Sequence, residues 1–246
     1  MTSYRAGIAR RADGSADAWV FDLPGCRAAG GSVDDVKALL PVVVAEHIAW
    51  LQAHGESVAT DADLSVVEEV DGRGEFVFAA DKERVGNADI ETAIRRAGYA
   101  QDDLIARVRP LPDLVLDWRP PASSVKIDVI FPDVRSMRQM LEHVVGAEAG
   151  YYARSLSDAA PSGPPTDTGD IEALQESTAD RWRGWTPEQR SRVYRRERPD
   201  GSVGEWSARK VIRRTIMHKR FHTREIEQRL CWLALGVPEV LPANRE

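Results

Sequence analysis

The chain of 246 residues has few cysteines and no excess of positive charge, and each shortage removes a class of protein. Its two cysteines, Cys26 and Cys231, stand far apart and cannot supply the disulfide framework of a small secreted domain. They suit a reducing compartment, so a cytoplasmic location is expected. The formal net charge is −6. Nucleic acid is therefore not an expected partner, because phosphate neutralisation needs a basic surface. The N-terminus lacks the apolar core of a signal peptide. No window is expected to have the length and uniform apolarity of a membrane span, so no membrane partner is expected either. Internal repeats and low-complexity tracts are missing. What is present, 43% hydrophobic and 29% charged residues, describes a globular chain. Its length allows one large domain or two small ones.

The first third reads as α+β. Short strands are expected at 4–10, 18–21 and 27–29, with Pro24-Gly25 marking a turn between the last two. Ser32 is placed to cap a helix reaching about His54 and stopping at Gly55, with Asp34 and Asp35 in its first turn and Pro41 as a kink or a stop. A further strand is expected over 64–70, and Phe76-Val77-Phe78 is one more strand or a linker. From about Ala80 the pattern becomes helical. Helices are expected at 90–108, with an interruption at Gly98, at 136–156, at 171–183 continuing through 187–196, and at 207–235. The stretch 157–170 reads as a loop and 198–201 as a turn. Four helices with one long loop suggest a bundle.

Two of the five histidines, His218 and His222, lie four apart on the last expected helix. Residues so spaced share one helix face, with Cβ atoms about 5–6 Å apart. Val211, Thr215, His218, His222 and Ile226 form one stripe, while Arg213, Arg220, Arg224 and Glu227 fall elsewhere. The pair thus points to the apolar side, where an unpartnered imidazole is costly. His143, on another expected helix beside Met140, Gly146 and Ala147, supplies a third nitrogen. Three neutral imidazoles can hold a divalent metal, zinc or nickel, and leave coordination positions open. A solvated helix face is the plain alternative for each. Glu225 either orients an imidazole or pairs with Arg229 on the surface, and the surface reading is preferred. Glu142 and Glu148 are expected outside, and the basic run Arg209, Lys210, Arg213, Arg214 and Arg220 reads as a solvated face, with an anion-recognition rim as the sharper alternative. His47 and His54 read as structural or solvated. Tyr151, Tyr152, Trp182, Trp185 and Trp206 read as packing, and Cys26 lacks local groups to activate it.

Residues 80–242 resemble the DinB-like family of metal-binding four-helix bundles. The resemblance is carried by Leu116-Asp117-Trp118-Arg119-Pro120, Met140-Leu141-Glu142-His143-Val144, and Glu205-Trp206-Ser207-Ala208-Arg209-Lys210 leading into His218-Lys219-Arg220-Phe221-His222. It implies His143, His218 and His222 as ligands of a divalent metal. It also implies an enzyme that uses a low-molecular-weight thiol, a thiol S-transferase or isomerase, with a small-molecule substrate or thiol as partner; a metal-dependent hydrolase is the alternative enzyme reading. Residues 1–72 resemble the HicB-like antitoxin domain, an α+β fold related to double-stranded RNA-binding domains. That likeness rests on Ala18-Trp19-Val20-Phe21-Asp22-Leu23-Pro24-Gly25-Cys26 and on Gly30-Gly31-Ser32-Val33-Asp34-Asp35-Val36. The second reading follows from it: a non-catalytic binding or regulatory protein whose HicB-like domain meets a partner, with a homodimer allowed. The two parts are expected to separate near residues 72–80.

Overall fold

The computed structural model describes residues 3–72, 77–120, 134–157, 171–197 and 203–236. Four strands come first in the sheet: β1 (Ser3–Arg10), β2 (Ala16–Val20), β3 (Arg27–Gly30) and, after helix α1 (Val33–Ala53), β4 (Asp63–Asp71). The sheet order is β3-β2-β1-β4, with β1–β2 and β2–β3 antiparallel and β4 parallel to β1. All of β2 is buried, because the sheet is covered on both sides. One face packs Ala6, Ile8, Ala18 and Val20 against Val36, Leu40, Val44 and Leu51 of α1. On the other, Ala9 and Trp19 meet Phe78 and Met217.

Ser32 caps α1 as expected, its hydroxyl accepting from the Asp35 amide at 3.1 Å, and Gly55 follows the end with φ +81°. Pro41 neither stops nor divides the helix. Pro41 and Lys37 both lie on the exposed side, where water can satisfy the carbonyl that the proline leaves without a donor. Among the described residues α1 is also the one helix long and apolar enough to cross a membrane by length and composition, contrary to the expectation that no such window exists. Its apolarity is spread around the helix, with Leu39 and Val42 exposed while Val36, Leu40, Val44 and Leu51 face the sheet.

The rest is mostly helical. A 3-10 turn (Ala80–Lys82) leads to α2 (Asn87–Val108), the short α3 (Asp113–Leu116), α4 (Met137–Gly146), a π-helical segment (Ala147–Tyr152), α5 (Leu174–Arg183), the hairpin β5 (Tyr194–Glu197) and β6 (Val203–Trp206), and α6 (Ala208–Leu235). Gly98 does not interrupt α2. Ser136 and Gln139 form a reciprocal cap on α4. The expected helix over 187–196 is absent: a turn from Thr186 gives way to β5, antiparallel to β6, because Tyr194 packs into the core beside Trp206. Val77 and Phe78 form no strand, and Phe78 stacks edge-on with Phe21 at 5.2 Å. Phe76, residues 158–170, the turn at 198–201 and residues 237–242 lie outside the described residues.

The sheet layer and the helices are packed together. Arg213 of α6 and Asp81 form a buried bidentate pair at 2.9 and 2.7 Å. Trp50 of α1 donates to Asp103 of α2 at 2.7 Å. Gly25 sits at φ +93° directly on α6, where a Cβ would come 2.4 Å from Ile216 Cγ2.

Candidate metal centre

Ser207 starts α6 by accepting from the Lys210 amide at 3.2 Å, and the helix then runs without proline or glycine to Leu235. The stripe seen in the sequence faces inward: Val211, Thr215, His222 and Ile226 are buried and His218 is half-buried. His143 approaches from α4. Its Nε2 lies 3.0 Å from His218 Nε2, which is 3.1 Å from His222 Nε2. One ligand nitrogen from each of the three histidines lies within 4.8 Å of the others, a group that could hold a metal ion. The rings stand nearly perpendicular to one another, at 74°, 85° and 83°, so their edges converge while their faces stay apart.

The donor chemistry fits a cation. Glu225 Oε2 lies 2.7 Å from His222 Nδ1. With the carboxylate ionised, that bond places the His222 proton on Nδ1 and leaves Nε2 as a bare lone pair. Burial, reinforced by Arg135 and His222, pushes the His143 imidazole down to about 4. Burial, then His222, His143, Arg214 and Arg135, push His218 well below its usual value. Neutral imidazoles carry one N–H each. The proton on His218 Nε2, if present, serves only one neighbour, and if it is absent His222 faces it with no proton at all. One of the two short nitrogen contacts is therefore always without a hydrogen bond. A single divalent cation between the nitrogens would satisfy all three lone pairs.

Aromatic rings close around this point. Tyr152, on the π-helical segment, stands edge-on to His218 at 5.9 Å and packs on Trp206 at 5.8 Å. The half-exposed Phe221 meets His222 at 5.3 Å. Tyr152, Trp182, Trp185 and Trp206 are core residues, whereas Tyr151 is exposed.

Several expectations about charged groups are corrected. Glu225 binds His222, contrary to the preferred surface pairing. Glu148 is buried, because from Ala147 the chain winds as a π-helix and leaves the spacing that would turn it to solvent. The basic residues of α6 are not a solvated face. Lys210 and Arg213 are buried, Arg209 binds Asp89 at 3.1 Å, and the Arg220 guanidinium covers Trp50 at 4.1 Å and hydrogen-bonds His47 Nδ1. His47 is wholly buried, and His54 stacks on Tyr99 at 4.4 Å. Cys26 is buried too, and burial pushes its thiol up to about 12, which disarms it as a nucleophile.

No curated protein and no solved structure matches the chain. A family model, that of the DinB superfamily, matches residues 98–226. The match begins within α2, so the HicB-like reading of residues 1–72 stands on their own sequence alone. It spans all three histidines, and it covers just over half of the sequence: the chain belongs to the DinB superfamily.

Proposed function

We propose that His143, His218 and His222 bind one divalent metal ion, zinc or nickel, and that the protein uses it to activate a low-molecular-weight thiol for transfer to a small electrophile. The convergence of three imidazole nitrogens, two of the spacings being 3.0 and 3.1 Å, carries this reading. When bound, the ion supplies Lewis acidity that lowers the pKa of a thiol or of water. The protein's own groups prepare the place. Glu225 fixes the His222 ring and its tautomer. Tyr152, packed on Trp206, places an apolar ring beside His218. Arg135 and Arg214 add positive potential at His218, which favours an anionic reactant. The reaction type rests on family membership and stays a proposal, since one fold hosts many chemistries. For residues 1–72 the HicB-like reading is likewise proposed, supported by three antiparallel strands followed by a helix and a fourth strand.

The test has two stages. Elemental analysis should find stoichiometric metal in the wild type and far less in His218→Ala; equal content in both would sink the ligand assignment. The zinc-loaded protein is then offered a set of low-molecular-weight thiols with a bromobimane. Thiol consumption above background that vanishes in His222→Ala supports the transferase. A loaded protein that accelerates no thiol points to hydrolysis or to a non-catalytic binding role.

A further inference from the structure

Beneath the histidines lies a second polar cluster that none of the chemistry above uses. Lys219 follows His218 on α6, about 100° further round the helix, and it is wholly buried. Its Nζ reaches Glu148 Oε1 at 3.1 Å, Gln101 Oε1 at 2.8 Å and Gln175 Oε1 at 3.5 Å. Glu148, 2% exposed, also accepts from Thr178 Oγ1 at 2.6 Å. The two glutamines are themselves fixed, their amide nitrogens donating to the carbonyls of Ile171 and Ile94. Thr223 ties back to the Lys219 carbonyl at 2.9 Å. The cluster takes Gln101 from α2, Glu148 from the π-helical segment, Thr178 and Gln175 from α5, and Lys219 from α6. Helices α2, α5 and α6 and the π-helical continuation of α4 thus meet at one ion pair.

Stability alone is a weak reason for such a pair. Taking two charges out of water costs about as much as their attraction returns, and apolar replacements of similar volume are often neutral or stabilising. What a directional pair does supply is register. Glu148 stands five residues after His143 on the same continuous rod, and Lys219 lies between His218 and His222. Sliding or turning α4 against α6 would break the Lys219–Glu148 contact and part His143 from its two companions in the same motion.

We propose that Lys219 and Glu148 are positioning residues for the metal centre, holding α4 and α6 in the register at which the three imidazoles converge. The inference rests on the metal-binding reading and goes beyond it. The experiment compares the wild type with Lys219→Met/Glu148→Leu, both loaded with cobalt(II). Affinity is read by chelator competition, ligand geometry by the visible absorption of the bound cobalt, and folding by circular dichroism and thermal unfolding. The double variant strands Gln101 Oε1 and Thr178 Oγ1 and should melt lower while remaining folded, and it should bind cobalt about tenfold or more weakly, the scale on which supporting groups tune metal sites. Its cobalt spectrum should shift. A purely structural pair would change the melting temperature and leave the spectrum alone. Wild-type affinity and spectrum in the folded double variant overturn the proposal while leaving the metal reading standing. No cobalt uptake by the wild type removes the metal reading, and the proposal with it. Should the double variant fail to fold, Thr178→Val, which deletes one bond to Glu148, carries the same test: weaker binding with a shifted spectrum supports positioning, and an unchanged site overturns it.

Discussion

Between the N-terminal sheet and α1 the interior is mostly alanine, valine, leucine and isoleucine, among them Ala6, Ile8, Ala18, Val20, Val36, Leu40 and Leu51. Between α2, the π-helical segment, α5 and α6 the interior holds Lys219, Glu148, Gln101 and Thr178 alongside its apolar residues. An apolar interior is specified by volume and pattern, and it gives way gradually when a methyl group is lost. A polar interior is specified by partners, and removing one strands another. The first region is built to hold a shape. The second keeps groups that cost free energy to bury, next to three histidines that chemistry can use.

The comparison is broken most sharply by a single substitution in the polar interior. Lys219→Met alone leaves the Glu148 carboxylate buried without its cation and should cost about 3–5 kcal/mol in urea unfolding. A loss below about 1 kcal/mol would mean that Glu148 finds water or a proton without difficulty. Leu51→Ala, in the apolar interior, should cost about 3 kcal/mol through lost burial and the cavity left behind. Its metal content should stay at the wild-type value, whereas a fall would show that the two regions are energetically one.

The smallest effect sharpens the contrast at the seam, where His47 is the polar exception in the α1 layer. Its Nδ1 meets Arg220, and its Nε2 has no partner among the described residues. Burial, then Arg220, Arg96 and Arg224, hold the imidazole well below its usual value. The unfolded chain takes up a proton near pH 6.5 that the folded chain refuses. The His47 contribution is therefore complete above pH 6.5 and is lost as the pH falls below it, by at most about 1.4 kcal/mol per pH unit. His143 and His218 shift in the same direction, so the difference between wild type and His47→Gln isolates this residue. Equal slopes of stability against pH in the two chains would show that His47 is protonated in place.

Much of this was legible beforehand where one periodicity ruled. The stripe Val211, Thr215, His218, His222 and Ile226 gives the inward face of α6 from spacing alone, and the capping serines Ser32 and Ser207 mark two helix starts. What stayed hidden depends on partners distant in sequence. Arg213 reads as solvated because nothing near it announces Asp81, and no local signal singles out Lys219 as the partner of Glu148. The hairpin β5–β6 was obscured by Arg195, Arg196 and Glu197, residues that suit a helix surface as well as an edge strand. Glu148 was misplaced because a helix that widens past Gly146 no longer follows a period of 3.6.

The unequal burial of the two cysteines has a practical consequence. Cys26 lies sealed beneath α1, with its sulfur facing the Val43 carbonyl at 3.8 Å, while Cys231 stands exposed on α6. A maleimide added to the native protein therefore has one address. That address lies nine residues beyond His222 on the same unbroken helix, about 13.5 Å along its axis. A fluorophore or nitroxide placed there sits on the rod that carries two of the three imidazoles, at a spacing short enough for a paramagnetic ion among them to broaden or quench its signal. The untouched chain already carries its own attachment point for a probe of that centre.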